Sequence, residues 1–400
     1  MIKLFKDSFS GISREVWLLS FVTLVNRSGA MVLPFLSLYL TVAEGYSLST
    51  VGMILLFYGI GSFFGNYIGG ILTDTIGAFR IQFLSLVVTA ISFVCLSYLH
   101  SPFSFAIGLF CTSLLADTFR PANIASIAVL AGKEMQTKAI GLNRLAINLG
   151  FSAGPALGGM IAYTSGYEWL FRIDAISCFV AALLLLYIFR QQVMEEGVRK
   201  VKNESEEKPS MKLVLKDRMF LYFLLLMVFL AIVFMQLFNS LPVFYKKELL
   251  FDEDTIGLLM AYSGLLIVVL ELPIIHLLEK RNKMSLIALG TILIGFSFFI
   301  LLFDDSIWIA LLGMTILTLG EILSLPFIAS VIIDRAPERL RGRYLAFMGM
   351  AFSLCHMVAP LIGMQVATHF SFQTLWQLLM AINIAVGISY WQLRNSFTKH

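Results

Sequence analysis

Twelve long apolar runs constrain this chain more than any other feature. They cover residues 17–41, 49–73, 79–99, 102–130, 137–165, 167–190, 219–247, 254–278, 284–303, 306–333, 342–368 and 371–393. Each is long enough to cross the hydrocarbon core of a bilayer. Lipid offers no partner to an open backbone, so such runs must be helical. Composition agrees: 58% of the 400 residues are hydrophobic and 14% charged, where a soluble protein carries about a quarter charged. The expected fold class is an all-α integral membrane protein.

The basic residues set an expected orientation. With the N-terminus inside and loops alternating, 23 of the 29 Lys and Arg fall on the inner side and only Lys246 and Lys247 on the outer. Arg27, Arg120, Arg144 and Arg172 fall within the runs. Positive residues stay inside, so both termini are expected in the cytoplasm and the protein in the cytoplasmic membrane. The basic residues are spread over loops and form no stripe, which argues against nucleic acid as a partner. Cys95, Cys111, Cys178 and Cys355 all lie in apolar runs, without metal-ligand spacing or a disulfide framework. The first run is too long for a signal-peptide core and ends without a small-residue cleavage site. Phosphate-loop, HExxH and nucleophile-elbow motifs are missing from the sequence. Neither an enzyme nor an ATP-driven pump is expected, and no cofactor or metal.

The one long polar segment, Gln191 to Arg218, divides the runs into six and six. The expected domains are residues 1–190, a cytoplasmic linker 191–218, and residues 219–400. The halves match one another in register. Gly52, Gly59, Asn66 and Asp74 fall on Gly257, Gly264, Glu271 and Glu279. Leu33-Pro34 falls on Leu241-Pro242, Asp117 on Glu321, and Ile124-Ala125-Ser126 on Ile328-Ala329-Ser330. A duplicated six-helix unit around a central site is the layout of alternating-access carriers.

Three motifs carry a family resemblance. Between the second and third runs the chain reads GGILTDTIGAFR, with Gly70, Leu72, Asp74, Gly77 and Arg80. Its glycines permit a tight reversal. Asp74 is expected to accept from backbone amides at a helix start, with Arg80 offsetting its charge. In the fifth run, GFSAGPALGG places Gly150, Gly154 and Gly158 four apart, leaving one helix face bare for close packing. Pro155 removes a helical hydrogen bond and invites a bend. Gly61, Gly65 and Gly69 make a similar face in the second run. In the fourth run, LLADTFRPANIAS sets Asp117 and Arg120 three apart, on one helix face.

The first motif resembles the cytoplasmic gating signature of the major facilitator superfamily. Gly154, Pro155, Gly158 and Gly159 resemble the antiporter signature of its drug/proton-exchanging branch. Arg120 stands where the family's fourth span carries an arginine, while Ala78, Phe79, Pro121 and Asn123 depart from the family patterns. The resemblance covers almost the whole chain. It implies twelve transmembrane helices in two pseudo-symmetric six-helix bundles, export driven by protons, and a monomer. That branch often has an acid in its first span; here Asn26-Arg27 stands in that region.

Depth along each run, at about 1.5 Å per residue, places Arg27, Asp117, Arg120, Glu271, Glu321 and His356 near mid-bilayer. Arg144 and Arg172 lie nearer the ends, where they can snorkel. A deep charge is costly unless paired or wet. Two arginines can hold two carboxyls ionised, and the third then cycles a proton. The spacing makes Asp117 the partner of Arg120 and leaves Glu321 first, then Glu271, as the titrating group. His356 is a further proton-transfer candidate. Asn26, Tyr39, Tyr58, Asn66, Gln236, Asn239 and Tyr262 are candidate cavity residues. The expected function is proton-coupled export of small amphipathic or cationic compounds. Uptake of a small nutrient, or a non-transporting membrane sensor with this fold, is the alternative.

Overall fold

The computed structural model describes residues 10–195, 211–278, 280–337 and 340–394. Glu279 and the middle of the polar linker, 196–210, lie outside the described residues. Twelve helical spans are long and apolar enough to cross a membrane, so this is a multi-pass membrane protein. Spans one to six are Arg14–Ala43, Leu48–Ile76, Ala78–Leu96, Pro102–Gly132, Lys138–Ser165 and Glu168–Ile188. Spans seven to twelve are Arg218–Lys247, Glu253–Leu278, Lys283–Leu302, Ile307–Arg335, Arg341–His369 and Phe372–Leu393. No strand occurs among the described residues.

Local sequence explains where the spans start. Ser13, Ser47, Ser101, Asn282 and Ser371 each accept a hydrogen bond from the amide three residues on. These bonds satisfy amides that a helix start leaves open. Span two ends at Gly77, whose φ of +113° few residues but glycine adopt. A second glycine, Gly132 at φ +67°, separates spans four and five within an otherwise helical stretch, Phe119–Ser165.

Spans one and seven are broken at matching places. Span one is helical over Arg14–Ser28 and again over Val32–Leu38, closing with a wide turn at Tyr39–Ala43. Span seven is helical over Arg218–Phe234, tightens at Met235–Leu237, and restarts at Ser240. Proline is the cause. Pro34 cannot donate to the Ala30 carbonyl, nor Pro242 to that of Phe238. The Leu-Pro pair repeated in sequence thus becomes a break repeated in structure.

The packing falls into two compact units. One comprises Met1–Asn203 with Phe251–Val268, and the other Glu204–Leu250 with Val269–His400. In the first unit, span two packs on span four, and span one on spans five and six. Gly61, Gly65 and Gly69 let spans two and four touch: a Cβ at Gly65 would stand 2.4 Å from the Leu114 carbonyl oxygen. A buried polar network ties four spans together. Asn123 donates to Thr23 Oγ1 (3.1 Å) and Gln82 Oε1 (3.2 Å), and accepts from Asn143 (2.9 Å). In the second unit, span nine packs on spans ten and twelve. There Phe298 stacks on Trp376 with ring centroids 5.2 Å apart.

Candidate functional site

The first unit contains a cavity of about 90 Å³, lined from all six of its first spans. Arg27 reaches it from the last turn of the first helix of span one. Span five holds that turn in place. A Cβ at Gly150 would lie 2.4 Å from Arg27 Cβ and 2.8 Å from its carbonyl carbon. Gly154 faces the carbonyl oxygens of Ala30, Arg27 and Ser28 at 3.2 to 3.5 Å, and Gly158 faces Met31 and Phe35. The bare face of span five is therefore the seat of the break in span one. The helix keeps regular dihedrals through Pro155, so the bend its sequence invites does not become a break. On the other side of span five, Gly159 meets Gly257 and the Glu253 carbonyl oxygen, and Ser152 donates to the Ala261 carbonyl at 3.1 Å.

The Arg27 guanidinium sits 5.8 Å from the centre of the Phe151 ring, within cation–π range. Its buried Nε has no hydrogen-bond partner. Among charged groups, Asp117 attracts it and Arg120 repels it. Asp117 lines the same cavity and ends the helix Pro102–Asp117. The helix restarts at Phe119. Pro121 accounts for the interruption, because it cannot donate to the Asp117 carbonyl and its ring crowds that oxygen.

The expected Asp117–Arg120 pair does not form. Among the described residues, Asp117 makes no ion pair and accepts no hydrogen bond, and the exposed Arg120 makes no ion pair either. Asp117 is instead the unsatisfied carboxyl of the cavity.

Asp174 is a site residue that was not expected from the sequence. This residue lines the cavity at 3% exposure and accepts from the amides of Met31 (2.8 Å) and Val32 (3.2 Å). Those are the amides that the break leaves open, so Asp174 is the cap of the second helix of span one. A carboxylate inside an apolar run was the available signal. One turn on, Cys178 accepts from Asn26 Nδ2 at 3.3 Å.

The other expected residues are more dispersed. Asn26 and Tyr58 line the cavity. Tyr39 does not: it packs on Phe105, Phe171 and Tyr167, and its hydroxyl donates to Glu44 at 2.5 Å. Asn66 donates to the Ser62 carbonyl of its own helix. Gln236 is fully buried, donating to the Ile232 and Ala359 carbonyls and accepting from Ser240. Asn239 donates to the Met235 carbonyl. Tyr262 is half-buried on span eight in the first unit. Glu271, Glu321 and His356 all belong to the second unit, with Glu271 buried and the other two half-buried.

The turn after span two also differs from expectation. Asp74 stands exposed in the last turn of span two and caps nothing, because span three starts at Gly77 without a side-chain cap. Gly70 has open space around it. Arg80 reaches the helix Arg190–Glu195, donating to the carbonyls of Val193 (3.3 Å) and Met194 (2.9 Å). It thereby satisfies the open end of the helix that begins the polar segment.

Two further clusters lie at the ends of spans. Burial alone would raise the carboxyl pKa of Asp217. Hydrogen bonds from Arg335, the Phe220 amide and Tyr344 outweigh that and hold it below the usual value. Arg335 grips it bidentately at 2.8 and 2.7 Å. Tyr167 donates to the buried Glu253 at 2.6 Å. Burial first, and this bond second, raise its phenol pKa.

Comparison with known proteins places these features in a family. A family model described as Major Facilitator Superfamily matches residues 16–360 and 238–399. A Na(+), Li(+), K(+)/H(+) antiporter of Planococcus maritimus is 25% identical over 398 residues, covering 92% of each chain. An uncharacterized MFS-type transporter of Bacillus subtilis (strain 168), YttB, is 26% identical over 378 residues, again covering 92% of each. Among solved structures, the peptide transporter POT in complex with sulfate superposes with a TM-score of 0.79 at 14% identity, over 98% of this chain and 96% of that one. A D-xylose-proton symporter gives 0.75 at 18% identity, over 94% and 97%. At such identities the two structures speak for the fold alone.

Proposed function

The chain belongs to the Major Facilitator Superfamily, and on that footing we propose that it exports small cationic compounds, amphipathic ones included, in exchange for protons. It is a secondary transporter. Asp117 carries this reading: a carboxyl on the cavity wall beside Arg27, with no ion pair or hydrogen bond among the described residues.

A carboxyl at membrane depth that stays ionised and alone costs several kcal/mol. In this reading Asp117 carries a proton and a substrate cation in turn. When it is protonated, Arg27 is left uncompensated and repels a cationic substrate. Deprotonation restores the attraction. One negative charge shared in turn by proton and substrate gives exchange. Arg27 stays charged throughout, since guanidinium does not release its proton in proteins. Glu321, then Glu271, with His356, are the second half's own proton-transfer candidates. The two six-helix halves, joined by the polar segment, alternate access to the site. Both termini lie in the cytoplasm of a bacterial cell, as the charge bias requires, and the carrier works as a monomer.

The relative from Planococcus maritimus, named for Na(+), Li(+) and K(+) exchange against H(+), favours a second reading. In it the cation is inorganic and monovalent. Everted membrane vesicles test both. If neither organic cations nor NaCl, LiCl and KCl dissipate an imposed acid-inside gradient, antiport is wrong. If Asp117→Asn dissipates it as fast as the unmodified protein, Asp117 is not the coupling group.

A further inference from the structure

The largely apolar wall of the cavity that holds Asp117 carries a small set of oxygen acceptors. Thr112 Oγ1 donates to the Gly108 carbonyl (2.9 Å), Ser113 Oγ to the Phe110 carbonyl (3.0 Å), and Ser85 Oγ to the Gln82 carbonyl (3.0 Å). A hydroxyl whose proton is committed to its own helix can only accept from the cavity side. Thr89, one turn beyond Ser85 on span three, differs. It is 4% exposed, lines the same cavity, and its Oγ1 has no hydrogen-bond partner. A buried hydroxyl without a partner is costly, and such a group calls for a ligand. Asn26 commits its amide nitrogen to Cys178, which leaves its side-chain oxygen as a further acceptor.

Charge and size narrow the ligand. The cavity carries Arg27 against Asp117 and Asp174. Asp174 is taken up by two backbone amides, so one carboxylate is left to hold a ligand. Divalent hard cations usually need more carboxylates than that, and Arg27 opposes a second positive charge. Drug-sized ligands need cavities of about 300 Å³ or more; this one is about 90 Å³.

We infer that Asp117, Thr89 and Asn26 form a binding site for one dehydrated alkali-metal cation, held within the first unit. The inference rests on the antiport reading and deepens it. Proton and cation compete for the Asp117 carboxylate. The groups that tune this competition are Arg27 on span one, Tyr58 on span two, Arg120 on span four, and Asp174 and Cys178 on span six.

The test uses purified full-length protein and two readouts. In thermal-shift titrations, NaCl, LiCl or KCl should raise the unfolding midpoint above that in N-methyl-D-glucamine chloride at equal ionic strength, while MgCl₂ should not. Thr89→Val should weaken the response about tenfold or more, the scale of one lost bond to a charged group. Asp117→Asn should abolish it; Asp117→Glu, which keeps the charge, should retain part. The second readout is proton exchange in everted vesicles. Organic-cation exchange without any alkali-specific shift overturns this site while leaving antiport standing. An alkali shift that survives in Asp117→Asn or Thr89→Val unchanged also overturns it. Loss of all proton exchange in the unmodified protein sinks the antiport reading itself.

Discussion

The seating of Arg27 on span five makes a quantitative prediction about Gly150→Ala. The new methyl carbon would lie 2.4 Å from Arg27 Cβ, 2.8 Å from its carbonyl carbon and 2.9 Å from the Ser28 amide nitrogen. Carbon atoms in contact sit about 3.5–4.0 Å apart. Two of the three neighbours are backbone, so no rotamer change relieves the clash. The spans must part by about 1 Å. Overpacking of this kind costs about 1–3 kcal/mol, and it carries the Arg27 guanidinium away from Asp117. The assays are a thermal midpoint in detergent and proton-coupled transport in vesicles. Gly141→Ala on the same span is the control. A Cβ there meets nothing within 4 Å, so the added methyl should be neutral or stabilising by up to about 1 kcal/mol. Gly150→Ala should lose both stability and coupling. Should Gly150→Ala behave like Gly141→Ala in both assays, the claim that span five positions Arg27 is wrong.

Other consequences are open to simpler experiments. The depressed carboxyl pKa of Asp217 gives stability that is present above its ordinary value of 3.8 and lost as pH falls through the lower folded value. Asp217→Asn should flatten that acid-side loss of thermal midpoint; an unaltered acid limb would refute the role of the Arg335 clamp. Asp174→Asn keeps an acceptor for only one of the Met31 and Val32 amides, so it should lower stability by about 1–3 kcal/mol, read as a reduced midpoint at pH 7. Arg80→Ala frees the Val193 and Met194 carbonyls and should speed tryptic cleavage at Arg190; an unchanged rate would mean the contact does not hold that helix.

Much of this architecture is legible in the sequence because it rests on local rules. Every apolar run became a span, since lipid forbids other backbones. The Leu33-Pro34 and Leu241-Pro242 pairs stood in the sequence as a mark of the repeat, and the structure breaks both helices there, since a missing N–H acts wherever it occurs. Arg27 stood out because an arginine in an apolar run needs a reason. The site itself was less legible. Residues Asp117 and Arg120 are three apart and the backbone between them keeps helical dihedrals, yet Asp117 lines the cavity while Arg120 is exposed, and the two do not pair. Spacing says which side chains can meet, not which of them do. Asp174 was hidden for another reason: its use is to cap amides 143 and 142 residues away in the chain. The reach of Arg80 to Val193, across 113 residues, is tertiary in the same way.

The central claim is that Asp117 exchanges a proton for a cationic substrate. The direct measurement is proton release on substrate addition, followed with a pH dye, in lightly buffered solutions of the purified protein. The account predicts about one proton released per substrate bound by the unmodified protein, with release saturating alongside binding, and none from Asp117→Asn. Equal proton release from Asp117→Asn would contradict it and move the coupling group elsewhere, to Glu321 or Glu271.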